Sequence, residues 1–255
     1  MITSSSNPRV RQILLLNSKA RARRESGLFT AEGRKLYGEA PASWREGVFV
    51  SASYGEEHPD IVQEAGAEIV EDRIFARMCD TKTPQGILSL LRIPSYSRED
   101  LLRKKDPFLL VLEDLQDPGN VGTILRTAEA AGVDGIILSR NTVDLFAPKT
   151  VRATMGTIYR MPFLIEEDLV ETVQWLKAKG IRSYAAHLKG QQSYSLADFG
   201  GGTAIFIGNE GRGLSDALSA AADQLLKIPM EGRVESLNAA VAAAILMYAV
   251  HDRRQ

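Results

Sequence analysis

Apolar positions along this chain fall into two spacings, one that suits amphipathic helices and one that suits short buried strands. Ser6-Asn7-Pro8 supplies a capping residue and then a proline at the first helical position. Val10, Ile13, Leu14 and Leu16 give the helix that follows an apolar face. Lys19 to Arg24 continues as its end or as a loop. Leu28–Ala31 precedes Glu32-Gly33, and a helical stretch is predicted from there to about Glu46. Val48–Ser51 reads as a strand, Pro59–Ala65 as a helix, Glu68–Val70 as a strand, Asp72–Met78 as a helix and Gly86–Leu91 as a strand. Residues 1–94 thus alternate as a small α/β domain. The polar run PSYSREDLLRKK has no core periodicity. It predicts a linker at 95–106 with at most a short helix.

A second domain, 107–255, opens with the fully apolar strand Phe108–Leu112. A loop and a helix over about Val121–Ala131 follow, with Val121, Ile124, Leu125 and Ala128 on its buried face and Arg126 off it. The strand Ile136–Leu138 completes a right-handed βαβ unit. Next come a helix around Lys149–Thr157, a strand at Phe163–Ile165, a helix at Leu169–Ala178 and a strand at Ile181–Ala186. Thr203–Ile207 and Leu225–Ile228 are two more short apolar runs. The first ends in Gly208-Asn209-Glu210-Gly211-Arg212-Gly213; the second leads through Met230–Ser236 into an alanine- and leucine-rich helix. Two glycine-bearing loops after two strands predict a cofactor pocket at the carboxyl ends of a parallel sheet. Glu210, Ser236 and Asn238 would reach into it. Taken alone, either loop is equally well explained as an ordinary turn. The glycines at 208, 211 and 213 run in the reverse of the G-x-G-x-x-G spacing, and there is no G-x-x-x-x-G-K-[ST]. Dinucleotide and NTPase phosphate loops are therefore unsupported.

Composition bounds the chemistry. At 255 residues, 44% hydrophobic and 25% charged, the chain has the make-up of an ordinary globular protein. One cysteine, Cys79, excludes an internal disulfide framework, fits a reducing compartment and reads as a packed thiol. No cysteine–histidine cluster exists, so no metal site is expected, and His58, His187 and His251 stand apart. No secretion signal or membrane-spanning run is present, which points to the cytoplasm and away from a membrane partner. Net charge is −1, yet residues 1–35 carry eight basic against two acidic side chains, a local +6. Arg9, Arg11, Lys19, Arg21, Arg23 and Arg24 are candidates for phosphate contact. A solvated helix end explains the same charges equally well.

Three stretches, NVGTILRTAEAAG (120–132), IFIGNEGRGL (205–214) and IPMEGRVESLNAAVAA (228–243), together resemble the three motifs of the SpoU/TrmH branch of SPOUT RNA methyltransferases. SSNPRVRQILLL, GLFTAEGRKLYGEA and TKTPQGILSLL are similar to that family's L30e-like substrate-binding domain. The resemblance implies an α/β catalytic domain closed by a deep trefoil knot over about 201–255. It also implies S-adenosylmethionine as cofactor, and methyl transfer to a ribose 2′-hydroxyl of structured RNA. 23S rRNA is favoured over tRNA, in a homodimer with its site at the dimer interface. Carried onto this sequence, Asn120 and Arg126 take the first motif's polar roles, Glu210 the second's, and Ser236 and Asn238 the third's. Gly208, Ile228 and Leu237 match positions that hold the cofactor. Arg126 would stabilise charge on the reacting oxygen, Glu210 would orient Arg126, and Asn238 would fix the loop or the ribose. Ala186 stands where a small hydroxyl is common. The 2′-hydroxyl requirement excludes DNA. A non-catalytic RNA-binding ribosome assembly factor is the competing reading.

Overall fold

The computed structural model describes residues 1–234 and 236–255. They form two compact units, Met1–Ser95 with Asp144–Tyr159, and Tyr96–Val143 with Arg160–Gln255.

In the first unit Asn7 caps α1 (Pro8–Ser18), its side chain accepting the Arg9 N–H at 2.8 Å. Val10, Ile13 and Leu16 face inward, while Leu15 is exposed. Lys19 is extended, so the basic run is not the tail of α1. It forms a separate helix, α2 (Ala20–Ser26), ended by Gly27 in the left-handed region. Then follow β1 (Leu28–Glu32), α3 (Arg34–Glu39), β2 (Arg45–Ser51), α4 (Ala52–Glu57), α5 (Pro59–Ala65), β3 (Glu68–Val70), α6 (Asp72–Met78) and β4 (Ile87–Arg92). The helix expected to reach Glu46 stops at Glu39. Pro41 forces Ala40 out of the helical region, and Arg45 Nη2 satisfies the freed carbonyls of Tyr37 (3.0 Å) and Ala40 (2.9 Å). The four-stranded sheet has the order β1-β4-β2-β3, with β4 antiparallel to both neighbours and β3 parallel to β2.

The second unit is a parallel sheet between helices. It contains β5 (Phe108–Leu112), α7 (Pro118–Ala131) and β6 (Gly135–Ser139). The chain then passes through α8 (Pro148–Thr154), which packs with the first unit, before β7 (Phe163–Glu166), α9 (Leu169–Ala178) and β8 (Arg182–Ala186). It ends with β9 (Gln192–Ser193), β10 (Thr203–Ile207), α10 (Asp216–Ala221), β11 (Gln224–Lys227) and α11 (Ala239–Arg253). The order is β7-β6-β5-β10-β8-β11-β9, and every pairing is parallel. β10 thus separates β5 from β8. Ile207 lies opposite Leu112, Phe206 opposite Ala185 and Leu226 opposite Ala186, so four strands end level at one edge. Phe108–Leu112 and Thr203–Ile207 are buried on both faces, as their unbroken apolar runs require. Within the stretch read as a linker, Leu101 sits fully buried in this unit's core. A Cβ on Gly135 would lie 2.5 Å from its Cγ.

Candidate active site

The sheet's carboxyl edge sits at a switch in strand order, where open α/β sheets hold their ligands. A cleft of about 450 Å³ opens there. Its walls come from Ala186–Lys189 after β8, Ile207–Leu214 after β10, Leu226, Ile228 and Met230 at β11, and Ser236, Leu237, Ala239 and Ala242 leading into α11. The volume suits a small molecule, and the lining is mainly aliphatic and backbone with a few polar groups.

The loop after β10 is fixed by backbone geometry. A Cβ on residue 208 would lie 2.2 Å from Gly213 C and from Leu214 N, so only glycine fits there. Asn209 and Gly213 exchange two hydrogen bonds, of 3.1 and 2.9 Å. The Asn209 Oδ1 accepts the Gly211 and Arg212 N–H groups at 2.9 and 3.1 Å, and its Nδ2 donates to the Asp114 carbonyl at 2.7 Å.

Glu210 is turned toward α7. Its Oε2 accepts the Gln116 N–H, and its Oε1 accepts the Asp117 N–H and the Asn120 Nδ2, all at 3.1 Å. Burial pushes the Glu210 carboxyl up, but these donors outweigh it and hold the group below the usual carboxylate range. Asn120 lies in the first turn of α7 rather than in a loop, because Asp117 caps the helix three residues earlier and accepts the Asn120 N–H at 2.8 Å. Its Oδ1 accepts the Asn238 Nδ2 at 3.0 Å. Asn238 in turn caps α11, its Oδ1 accepting from Ala240 N and Val241 N. One side-chain chain, Glu210–Asn120–Asn238, therefore ties the β10 loop to the starts of α7 and α11.

The expected residues divide accordingly. Gly208, Glu210, Ile228, Ser236 and Leu237 line the cleft, and Asn120 and Asn238 join Glu210 from the side. Arg126 stands apart. It is exposed on α7, does not line the cleft, and among the described residues has no hydrogen-bond or ion-pair partner. Glu210 does not orient it in this chain, since both carboxylate oxygens are taken by Asn120 and two backbone N–H groups. Of the basic candidates, Arg9, Arg11, Lys19, Arg21 and Arg24 are exposed, Arg9 beside Glu68 (3.6 Å) and Arg21 beside Glu25 (2.6 Å). Arg23 is a correction. Its side chain is 6% exposed, its Nε and Nη2 hold Asp144 Oδ2 at 2.9 and 2.7 Å, and its Nη1 donates to the Leu16 carbonyl. No phosphate can reach a guanidinium so enclosed.

Several site residues escaped the sequence reading. His187, Lys189 and Arg212 line the cleft. Glu113 accepts the Ser215 N–H and Oγ–H, both at 2.7 Å, and Ser215 caps α10. Glu113, His187 and Lys189 lie just past a strand's carboxyl end, the one signal that points to them. Ala186 also lines the cleft and offers no hydroxyl. Among the described residues no three His, Cys, Asp or Glu side chains could hold a metal, and no helix is long and apolar enough to cross a membrane.

The sequence model of the MRM3-like substrate binding domain matches residues 7–89, and that of the SpoU rRNA Methylase family matches residues 107–248. The chain is 33% identical over 250 residues to the 23S rRNA (guanosine(2553)-2′-O)-methyltransferase RlmP of Bacillus subtilis, covering 97% of each protein. The AdoMet-bound rRNA methyltransferase of Sinorhizobium meliloti superposes with a TM-score of 0.86 at 30% identity, covering 100% of this chain and 98% of that one. The SpoU methyltransferase AviRb of Streptomyces viridochromogenes shares the fold, with a TM-score of 0.89 at 24% identity over 97% and 98% of the two chains. The Glu210 loop, the Asn120 turn and the Asn238 cap all fall inside the matched stretch 107–248, and the chain belongs to the SpoU rRNA Methylase family.

Proposed function

We propose that the protein transfers a methyl group from S-adenosylmethionine to a ribose 2′-hydroxyl of 23S rRNA. The observation that carries this reading is the Glu210–Asn120–Asn238 chain. It closes one side of an aliphatic cleft at the switch point of a parallel sheet, within the matched family segment. The aliphatic walls, with Ile207, Leu214, Ile228 and Leu237, suit an adenine ring, and the turn at Gly208 brings backbone groups close to it. When bound, the sulfonium supplies an already activated methyl group. The protein's share is orientation, exclusion of water and care of one proton.

A ribose hydroxyl is a poor nucleophile while protonated, so positive charge near its oxygen lowers the barrier. Arg126 is the candidate for that role, because a guanidinium stabilises a forming alkoxide without acting as a base. Its absence from the cleft of its own chain supports a site completed by a second copy. So does the outer face of α11. Val241 (48% exposed) and Tyr248 (43% exposed) lie two turns apart there, and no charged residue interrupts Ala239–Val250. Tyr248→Asp is expected to yield monomers by light scattering and to abolish methylation. A fully active wild-type monomer would refute the dimer. The exposed basic residues of α1 and α2 support an RNA-facing first unit. The order β5-β10-β8 supports a threaded segment over about 201–255. Pulled by its ends, a knotted chain must stop short of its full contour length, and full extension would exclude the knot.

The deciding experiment is methyl transfer from tritiated cofactor to unmodified total rRNA and, separately, tRNA. Label in rRNA, lost when the target ribose is 2′-deoxy, is the expected result. Label confined to tRNA would move the substrate. Absent label together with absent cofactor binding would favour an assembly factor.

A further inference from the structure

Among the described residues only two other than glycine adopt positive φ: Asp114 (φ 54°) and Met155 (φ 52°). Met155 simply ends α8. Asp114 sits two residues past β5, in the middle of the site's scaffold, and ends no helix. A left-handed conformation there is strained for a residue with a Cβ, even for aspartate, which tolerates it better than most. The surrounding bonds hold it in place. The Asp114 N–H donates to Ser139 Oγ at 2.8 Å, and Ser139 Oγ–H donates to Asp114 Oδ1 at 2.8 Å. The Asp114 carbonyl accepts Asn209 Nδ2 at 2.7 Å and Gln116 Nε2 at 3.0 Å. Asp114 Oδ2 faces Arg212 at 3.8 Å. One residue thus touches the end of β6, through Ser139, and Asn209 and Arg212 of the β10 loop.

The consequence appears two and three residues later. Gln116 and Asp117 present consecutive N–H groups to the two oxygens of Glu210. Gln116 is itself tied back to the Asp114 carbonyl through its side chain, so the left-handed residue and the two N–H groups belong to one fixed loop. We infer that Asp114 is a positioning residue: its left-handed turn, locked by Ser139 and Asn209, aims the Gln116 and Asp117 N–H groups at Glu210 and so preorganises the cofactor cleft. The inference rests on the methyltransferase reading above. Among the described residues Asp114 bonds to no cleft-lining residue other than Asn209 and Arg212, so it acts through the loops it fixes.

The test separates conformation from side-chain chemistry. Asp114→Gly relieves the backbone cost but removes the Ser139 and Arg212 contacts. Asp114→Asn keeps a residue tolerant of the left-handed region and retains an oxygen for Ser139. Asp114→Ala loses both. S-adenosylmethionine binding is measured by calorimetry on the full chain, alongside thermal unfolding and hydrogen exchange of the Gln116 and Asp117 amides. Asp114→Asn is expected to bind within about threefold of wild type, each hydrogen bond lost or weakened being worth about a factor of ten or less. Asp114→Gly is expected to unfold no earlier than wild type, yet to bind at least tenfold more weakly, with faster exchange at both amides. Asp114→Ala should fail on all three measures. Wild-type binding and amide protection in Asp114→Gly would overturn the inference. Loss in Asp114→Asn equal to that in Asp114→Ala would also overturn it. Wild-type protein that binds no cofactor at all would instead sink the methyltransferase reading, while the amide exchange would still report on Asp114.

Discussion

Arg23 makes the sharpest separation between a residue that holds the fold and exposed neighbours proposed to face RNA. Arg23→Ala removes a guanidinium whose side chain is 6% exposed and paired with Asp144, itself 23% exposed. Breaking a buried pair from one side costs about 3–5 kcal/mol, because the remaining charge is left without a partner. Asp144 keeps some contact with water and one donor, the Phe146 N–H at 2.8 Å, so the lower end applies. The Leu16 carbonyl also loses its donor, adding about 1 kcal/mol. The expected loss is about 3–4 kcal/mol in the first unit. The chain has two tryptophans, Trp44 and Trp175, one in each unit. In a Trp175→Phe background, urea unfolding followed by Trp44 fluorescence reads the first unit alone. Arg21→Ala and Arg24→Ala should stay within about 0.5 kcal/mol of that background, since Arg21 gives up only an exposed pair with Glu25. Those two changes should instead weaken RNA binding and flatten its salt dependence. Refutation is simple to recognise: Arg23→Ala as stable as its background, and losing RNA affinity in step with Arg21→Ala and Arg24→Ala.

Gly208→Ala should cost about 2–4 kcal/mol in the second unit and abolish cofactor binding, because its Cβ meets backbone at 2.2 Å and the Asn209–Gly213 pair must open; unchanged calorimetry would count against this. Glu210 stays charged below the ordinary glutamate value of about 4.3, so its contribution is complete above that pH and fades as pH falls through the lowered value. Cofactor affinity should therefore show no Glu210-dependent step between about pH 5 and 8, and a step near pH 6.5 that vanishes in Glu210→Gln would contradict the geometry. At pH 7 the same substitution should weaken binding by about 1–3 kcal/mol, since an amide cannot accept all three donors. Burial, reinforced by the charge of Glu32 and opposed by Arg152, pushes the Cys79 thiol up. A thiol reagent at pH 7.5 should label it only after unfolding, and rapid labelling of native protein would show the site to be open.

Local features were legible because they depend on neighbours in the chain. Asn7-Pro8 started a helix, and the unbroken apolar runs Phe108–Leu112 and Thr203–Ile207 read as buried strands and are so. The glycines after β10 announced a tight turn, and Gly208 indeed has no room for a Cβ. Three motif stretches in order carried the family, since their residue types recur together only where one site needs them all.

Packing decided the rest. An extended Lys19 splits α1 from α2 and resets the helical phase, which turns Arg23 inward while Arg21 and Arg24 stay in solvent; a charge count over residues 19–24 carries no such phase. Leu101 looked like part of a polar linker because its apolar partners lie on distant strands. Asn120 and Asn238 are 118 positions apart, and the insertion of β10 between β5 and β8 lets Glu210 reach Asn120, which in turn meets the α11 cap. Sequence by itself determined most of the helices and strands and the glycine turn after β10, because short-range sterics and burial patterns set these, but not the separate helix α2, the early end of α3 or the short elements α4, β9 and α10. The tertiary structure alone decided which polar atoms meet, because hydrogen bonds between remote segments depend on strand order and register.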